Sequence, residues 1–471
     1  MEAGGMTSKR RQPVLGRIRH IHMVGIGGIG MSSIAAVLLD RGYRVTGSDL
    51  NPNDITRNLE NQGATIYEGH KARHVAGADV VVYSSAVSVP DNEETVEAAA
   101  HRIPLIPRSE MLGELMRMKF GVGIAGTHGK TTTTTMVGLV VAEGGFDPTI
   151  IVGGKVAGVN SNAVSGEGDI IVIEADEYDR AFLRLTPALS VITTLEAEHM
   201  DIYRDMDDLR AAFEEFANAV PFFGAAIVCL DDPGVQGIVD RIERRLITYG
   251  LARQAMVRAD HVRQEGTRMH FDVMQDHDLL GSVVLSALGL HNVRNALAAI
   301  AVGLELCMDF ADIKAGLERF AGVQRRFQRI GESDGILIVD DYAHHPTEVI
   351  ATLAAACEGY PDRRIVAVFQ PHLYSRTLDF KDGFAHAFFN ADVLVVMDVY
   401  PAREQPLDGV SGEMIATLAS QRGHRNAHFA PGPEDVLRTL DAACRRGDLV
   451  VFMGAGDIWR VARRFAERLA A

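Results

Sequence analysis

Short apolar runs alternate with helix-length amphipathic stretches along most of the chain, and glycines or polar residues gather just after the runs. The first run, His20–Val24, reads as a strand. Gly25-Ile26-Gly27-Gly28-Ile29-Gly30 follows it, then a helical pattern from Met31 to about Arg41. More strands are expected at Tyr43–Gly47, Ala64–Tyr67, Asp79–Tyr83 and Pro104–Ile106. A second series holds Phe120–Ala125, Asp169–Glu174 and Leu189–Leu195. The stretch from Val257 to Val284 alternates and should be antiparallel, and a helix starts near His291. A third series comprises Ile336–Val339, Ile365–Phe369, Val393–Met397, Ala427–Phe429 and Leu449–Met453, separated by amphipathic helices. Strands that alternate with helices build mainly parallel sheets, so the class is α/β.

At 471 residues the chain exceeds one ordinary core, so several domains are expected. The net charge of −15 argues against nucleic acid as a main partner, since phosphate backbones demand a basic footprint. An acidic protein that binds phosphates must concentrate its cations locally. Cys229, Cys307, Cys357 and Cys444 are scattered without a C-x-x-C spacing, which points to reduced, buried thiols and a cytoplasmic location. No apolar stretch approaches bilayer length, so no membrane partner is expected. Met1–Arg19 carries Lys9, Arg10 and Arg11 but no apolar segment after them. It reads as a disordered basic tail, not a signal peptide.

The most informative segment is Gly126-Thr127-His128-Gly129-Lys130-Thr131-Thr132, directly after the run Phe120–Ala125. A strand feeding a glycine turn and then Lys-Thr is a phosphate cradle. Backbone N–H groups converge on a polyphosphate, the lysine reaches the terminal phosphates and the threonine hydroxyl meets Mg²⁺. Ile124 stands where the general NTPase loop has its first glycine, so the loop is of a distinct kind. Thr131 to Thr135 make a poor helix start, and a locally unfavourable choice at a motif hints at function. Gly25, Gly27 and Gly30, with Asp49 some twenty residues on, fit a dinucleotide fingerprint, and Ser84-Ser85 end another strand of the same module. In the third series, Asp341-Tyr342-Ala343-His344-His345, Gln370-Pro371-His372 and Gly454-Ala455-Gly456 follow strands, as the lining of a crevice would. A nicotinamide-dependent oxidoreductase is the alternative for the first module. It accounts for neither the phosphate loop nor the third series.

Gly126-Thr127-His128-Gly129-Lys130-Thr131, Glu174-Ala175-Asp176-Glu177, His199-Met200-Asp201, His291-Asn292 with Asn295-Ala296, and Arg326-Phe327 resemble the Mur ligases, ATP-dependent amide-forming enzymes of peptidoglycan precursor synthesis. The likeness runs from Gly25 to Gly456. It implies three domains: an N-terminal Rossmann-like UDP-sugar-binding domain over 19–118 after a tail over 1–18, a central P-loop ATPase-like domain with a mainly parallel sheet over 119–323, and a C-terminal Rossmann-like amino-acid-binding domain over 324–471. Gly-Ile-Gly-Gly-Ile-Gly-Met narrows the likeness to two branches that accept UDP-N-acetylmuramate. The segments at Asp341–Glu348, Phe369–Thr377 and Asp398–Glu404 resemble the branch that adds L-alanine. Glu177-Tyr178-Asp179-Arg180-Ala181-Phe182 is closer to the recycling branch that adds an intact tripeptide.

The resemblance further implies an acyl phosphate on the lactyl carboxylate, attacked by the amine with release of ADP and phosphate. Lys130 would act on the β/γ-phosphates, and Gly126, Thr127, His128, Gly129, Thr131 and Thr132 would line ATP. Thr131 and Glu174 would hold one Mg²⁺, and His199 with Glu174 a second. A histidine ligand suggests tolerance of Mn²⁺. Asn295, Arg326 and Asp341 would contact the nucleotide. Gly25, Gly27, Gly28, Ile29 and Gly30 would hold the UDP pyrophosphate, with Asp49, Ser84 and Ser85 nearby. Tyr342, His344, His372 and Arg376 would face the amino acid, with Arg376 clamping its carboxylate and His344 among the catalytic residues. His345 is expected to pack beside Pro346. Several family members use a carbamylated lysine. No lysine occurs here between Lys155 and Lys314, and the segment after His199 offers Arg210 and Ala212 instead, so that device is expected to be absent.

Overall fold

The computed structural model describes residues 15–154, 162–402 and 404–470. Most of the expected tail, Lys155 and Arg403 lie outside them. Leu15–Ile18 belong to the tail as expected, yet they form a turn. Leu15 N donates to the Tyr43 hydroxyl at 2.8 Å, and Leu15 and Ile18 pack on the core, which supplies the apolar contact a tail lacks.

The chain divides into two compact units. Unit 1 contains residues 1–257 and 297–316, and unit 2 contains 258–296 and 317–471. Unit 1 begins with a parallel sheet of β1 (His20–Val24), β2 (Arg44–Asp49), β3 (Thr65–Glu68), β4 (Val80–Tyr83) and β5 (Leu105–Pro107), in the order β3-β2-β1-β4-β5. The order reverses between β1 and β4, so the loops after these two strands open a crevice at a topological switch point.

The second sheet of unit 1 holds β6 (Phe120–Ala125), β7 (Thr149–Ile151), β8 (Ala163–Val164), β9 (Ile170–Glu174), β10 (Leu189–Ile192), β11 (Ala225–Cys229) and β12 (Leu246–Gly250). They run in the order β12-β11-β10-β6-β9-β7-β8, all parallel except the β7–β8 pair. β6 is flanked by β9 and β10, so its following loop meets the tips of both. The helix Lys130–Glu143 starts there with all five threonines buried. Thr134 and Thr135 donate back to the Lys130 and Thr131 carbonyls at 2.8 Å each, so hydroxyls that disfavour a free helix are satisfied inside this one.

In unit 2, β13 (Val257–Glu265), β14 (Arg268–Gln275) and β15 (Asp278–Leu285) form the expected meander, with β14 and β15 antiparallel. A further sheet holds β16 (Gln328–Ser333), β17 (Ile336–Asp341), β18 (Arg364–Phe369), β19 (Val393–Val396), β20 (Ala427–Phe429) and β21 (Asp448–Met453), in the order β16-β17-β21-β18-β19-β20. It is parallel except for the edge pair β16–β17. β17, β18 and β21 are buried along nearly their whole length, as a sheet covered on both faces must be. All four cysteines are free thiols, but of them only Cys229 is buried as expected; Cys357 and Cys444 are half-buried, and Cys307 is exposed in the turn after the helix that ends at Glu305.

Candidate functional site

The first crevice is formed by Gly25–Gly30. Gly25 (φ +80°) faces Ser84, where an added Cβ would sit 3.1 Å from the serine Cβ. Gly27 N donates to Asp49 Oδ2 at 2.9 Å, and Asn51 N donates to Oδ1 at 3.0 Å. Asp49, expected near the UDP pyrophosphate, thus braces the loop with both oxygens. A Cβ at Gly27 would stand 2.7 Å from Asp49 Oδ2. Gly28 precedes the helix Ile29–Asp40, and Ile29 and Ser85 are exposed beside the loop. A cation that the sequence did not single out stands at the helix start. A Cβ at Gly30 would meet Arg108 Nη1 at 2.8 Å. Arg108 lies at the end of β5 and reaches to 3.9 Å from Asp176.

The phosphate loop is held by its flanking strands. Gly126 (φ +136°) and Gly129 (φ +82°) take backbone shapes that side chains resist. Thr127 N donates to the Thr194 carbonyl at 3.0 Å, Glu196 N to Thr127 Oγ1 at 2.9 Å, and His128 N to Thr194 Oγ1 at 2.8 Å. Lys130 Nζ donates to the Gly126 carbonyl at 2.6 Å, the Thr127 carbonyl at 3.3 Å and Glu177 Oε1 at 2.8 Å. Its side chain is folded back into the loop. Thr131 Oγ1 donates to Glu174 Oε1 at 2.8 Å, and Gly153 N to Glu174 Oε2 at 2.6 Å. Thr132 is buried one residue on.

Glu174 and His199 were expected to share a metal. The structure groups His199 with Glu177 and Glu198, whose ligand atoms and its own lie within 4.8 Å of one another, and pairs Glu174 with Thr131. Burial pushes the Glu177 carboxyl up to about 7, with Asp176 and Glu198 adding to the effect and Lys130 opposing it. Lys130 is moved above its ordinary value: burial works against the charge, but Glu177 and Asp176 outweigh it. Glu177 was part of a quoted motif, yet its partnership with Lys130 depends on the turn after β9. In that turn, Asp179 and Arg180 have positive φ, Arg180 donates to Asp208 at 2.5 Å and its guanidinium lies 4.8 Å from the Tyr203 ring. Arg210 pairs with Asp207 at 2.8 Å, and Ala212 is buried.

In unit 2, the four residues expected to face an amino acid come together from two strand ends. After β17, Tyr342 meets His344 edge-on at 5.2 Å between ring centroids. His344 lies 6.2 Å from the His372 ring after β18, and Arg376 Nη1 is 3.4 Å from His372 Nδ1. Tyr400, after β19, stacks on His372 at 5.7 Å, and Glu404 accepts from Ser375 N and Oγ. Arg325 and Arg326 lie 4.9 and 5.3 Å from the Tyr342 ring. Asp341 accepts from Phe327 N at 2.7 Å and Ala343 N at 2.8 Å, so this buried carboxylate shapes the loop. Arg326 reaches Glu348 at 3.3 Å, and Asn295 donates to Asn292 at 3.2 Å within its helix. His345 is the helix cap beside Pro346, its ring 4.6 Å from Phe380.

Comparison with known proteins addresses the domains and the whole chain. Profiles described as "Mur ligase family, catalytic domain", "Mur ligase middle domain" and "Mur ligase, glutamate ligase domain" match residues 20–120, 124–303 and 325–456. The chain is 62% identical over 464 residues to the UDP-N-acetylmuramate–L-alanine ligase of Salinibacter ruber, covering 98% of each chain. It is similar to the crystal structure of the UDP-N-acetylmuramate–alanine ligase MurC of Thermotoga maritima, with a TM-score of 0.80 and 30% identity over 96% of this chain and 99% of that one. A murein peptide ligase from Psychrobacter arcticus follows, with a TM-score of 0.69 and 25% identity over 96% and 98%.

Proposed function

The chain belongs to the Mur ligase family, and we propose that within it the protein joins L-alanine to the lactyl carboxylate of UDP-N-acetylmuramate, with cleavage of ATP to ADP and phosphate. The observation that carries this reading is the 62% identity, end to end, with an L-alanine ligase. The ring and guanidinium cluster of unit 2 supports it. We read the functional modules as 19–118, 119–323 and 324–471.

A carboxylate resists attack by an amine. Transfer of the γ-phosphoryl group to it makes an acyl phosphate, and the amine then displaces phosphate. The protein's task is to position anions and screen them. Lys130 is already desolvated and would exchange its carbonyl partners for β/γ-phosphate oxygens. Glu177 holds it in the loop until then. Glu177, Glu198 and His199 form one donor group and Glu174 with the Thr131 hydroxyl another; both are oxygen-rich and suit Mg²⁺, with Mn²⁺ tolerated through the imidazole. A bound cation there would neutralise charge on the phosphates. In the first crevice, Gly28–Gly30 and Arg108 would hold the UDP diphosphate, with Asp49 keeping the loop in shape. Arg376 would clamp the alanine carboxylate, oriented by His372, while Tyr342 and His344 border the amine. ATP and a nucleotide sugar are cytoplasmic metabolites, and we infer that location from them. No described helix is long and apolar enough to cross a membrane.

A second reading, ligation of an intact tripeptide, draws on the Tyr178–Arg180 segment and on the likeness to murein peptide ligase. Arg180, however, is engaged by Asp208 and Tyr203, an internal role that requires no tripeptide. Phosphate release with UDP-N-acetylmuramate and either L-alanine or L-alanyl-γ-D-glutamyl-diaminopimelate decides. Turnover with the tripeptide and none with alanine would overturn the first reading.

A further inference from the structure

In unit 2 the short helix Tyr374–Asp379, which carries Arg376, starts without a cap of its own. The residue before it is Leu373, whose side chain accepts no hydrogen bond. Its backbone stands at φ +69°, a left-handed shape that a bulky side chain resists. A serine or aspartate in that place would take an N–H of the first turn. Here the acceptor comes from the loop after β19. Glu404 Oε2 accepts from Ser375 N at 3.0 Å, and Oε1 accepts from Ser375 Oγ at 2.5 Å. A carboxylate so placed satisfies an orphan donor and faces the positive end of the helix. Burial works to raise the Glu404 carboxyl, but the bonds from Ser375 and from Tyr374 N and the charge of Arg376 outweigh it and hold the group below its ordinary range.

The same loop holds the neighbour of Arg376. β18 and β19 lie side by side and parallel, and the chain continues the pairing past both strands. Tyr400 N donates to the Pro371 carbonyl at 2.8 Å and Leu373 N to the Tyr400 carbonyl at 3.0 Å, a bridge that sets His372 beside Tyr400. Their rings stack within 11° of parallel. The Tyr400 ring is closed off on its other side, since a Cβ at Gly456 would stand 2.7 Å from its Cγ. Glu404 N donates to the Pro401 carbonyl at 2.8 Å, so a tight turn leads from the stacked ring to the carboxylate. Tyr400 thus holds the ring of His372, Glu404 holds the start of the helix that bears Arg376, and those two side chains lie 3.4 Å apart.

Once started, the helix closes on itself. Thr377 Oγ1 donates to the Leu373 carbonyl at 2.7 Å and Phe380 N to the Arg376 carbonyl at 3.0 Å. Arg376 is buried, so a rotation of the helix would shift the guanidinium and not be absorbed by a loose side chain. The setting of the first turn therefore decides where the guanidinium stands.

We propose that Glu404 is a positioning residue of the amino-acid site: as the cap of the helix Tyr374–Asp379 it sets Arg376, which in turn receives the carboxylate of the amino donor. The last step rests on the reading of Arg376 given above. The geometry uses the bonds of Glu404 and not its charge. A glutamine can keep both bonds, its oxygen accepting from Ser375 N and its NH₂ donating to the Ser375 hydroxyl.

The test follows phosphate release by the full chain against L-alanine and ATP. Glu404→Ala should raise the KM for L-alanine about 5- to 50-fold, with kcat and the KM for ATP within about twofold of the parent. Glu404→Gln should stay within about threefold of the parent in all three. On top of Arg376→Ala, the Glu404→Ala change should move the alanine KM by less than about twofold, since the group through which it acts is gone. A parental alanine KM in folded Glu404→Ala overturns the positioning role. So does an undiminished effect in the double variant, which would place the action of Glu404 outside the guanidinium. Glu404→Gln as impaired as Glu404→Ala would assign the effect to charge and overturn the cap. Where Glu404→Ala does not fold, Ser375→Ala deletes the hydroxyl bond and keeps the backbone one. Its alanine KM should rise about 2- to 10-fold, and a parental value overturns the role. A parental alanine KM in Arg376→Ala alone overturns the clamp reading and the positioning role together. A parent that turns over L-alanyl-γ-D-glutamyl-diaminopimelate and not alanine overturns the proposed function instead, and the same variants then decide the positioning role through the KM of that donor.

Discussion

In unit 1 one strand, one turn and the first residues of one helix carry the proposed phosphate site, and backbone groups do most of the shaping. Gly126 and Gly129 supply the bends, and threonines just after the neighbouring strand β10 fix the turn. In unit 2 the candidate amino-acid site is assembled from the ends of β17, β18 and β19, and its contacts run ring to ring and ring to guanidinium. A backbone-built site fixes geometry closely and leaves catalysis to a few charges. A site built from side chains can be retuned one residue at a time. Losses in unit 1 should therefore fall on turnover, and losses in unit 2 on the demand for one substrate.

The largest effect that tests this contrast is at Lys130. Its ammonium is buried and loop-bound, but its loss leaves the turn glycines and flanking threonines in place, so Lys130→Ala should fold. Turnover should drop by roughly 10²–10³ or more, as for other preorganised charge stabilisers. Phosphate release near the parental rate in a folded variant would break the comparison at its stronger end.

Next come the carboxylates. Glu174→Gln and His199→Ala should each raise the Mg²⁺ requirement by about 10- to 100-fold. The geometry sharpens the expectation: Glu174 answers to Thr131, whereas His199 answers to Glu177 and Glu198, so the two variants should add rather than overlap. Metal titrations that overlay the parent would remove the donor set from the reaction. In unit 2, Arg376→Ala should raise the KM for L-alanine about 10- to 100-fold, the worth of one or two charge-assisted hydrogen bonds, and leave the KM for ATP unchanged. An equal rise in both would mean that the cluster does not single out the amino acid.

The same contrast explains what could be read before the fold was known. The phosphate loop was legible because its residues are contiguous, and β1, β6 and β20 were bounded as expected because each is a short run ended by loop residues. β16 escaped notice. Gln328-Arg329-Ile330-Gly331-Glu332-Ser333 has one large apolar residue, and its register against β17 shifts at Gly331. Arg108 escaped because a guanidinium 78 positions from Gly30 meets it only through sheet order. Asp49 and Asp341 were expected to contact the UDP-sugar and the nucleotide, and both lie in their loops. Their carboxylates proved to be engaged by backbone N–H groups, which spacing alone does not reveal. Tyr342, His344, His372 and Arg376 came from family likeness, since nothing in local pattern joins them, and Tyr400, which stacks on His372, was not singled out.

The smallest expected effect concerns stability and belongs to unit 2. His291 is held down at about 4, first by burial and then by the charges of Arg326 and Arg294, with Glu348 opposing. The folded state thus keeps it neutral, while the unfolded chain takes up a proton near pH 6.5. Its contribution is complete above about pH 6.5 and is lost as pH falls toward 4, for a total of at most about 3 kcal/mol. Asp340 and Asp341 act in the opposite direction. Burial raises both, Asp340 to about 6, so the fold binds their protons more tightly than the unfolded chain and gains as pH falls. The net slope of the parent therefore mixes signs, and only the difference between parent and His291→Gln isolates the imidazole. Trp459 is the single tryptophan and lies in unit 2, so its fluorescence during urea unfolding reports the relevant region. The parent should lose stability relative to His291→Gln between pH 6.5 and 4, and the two should run parallel above pH 7. Parallel curves throughout would show that His291 is hydrated in the fold, and that unit 2 is looser around Arg326 than its ring contacts imply.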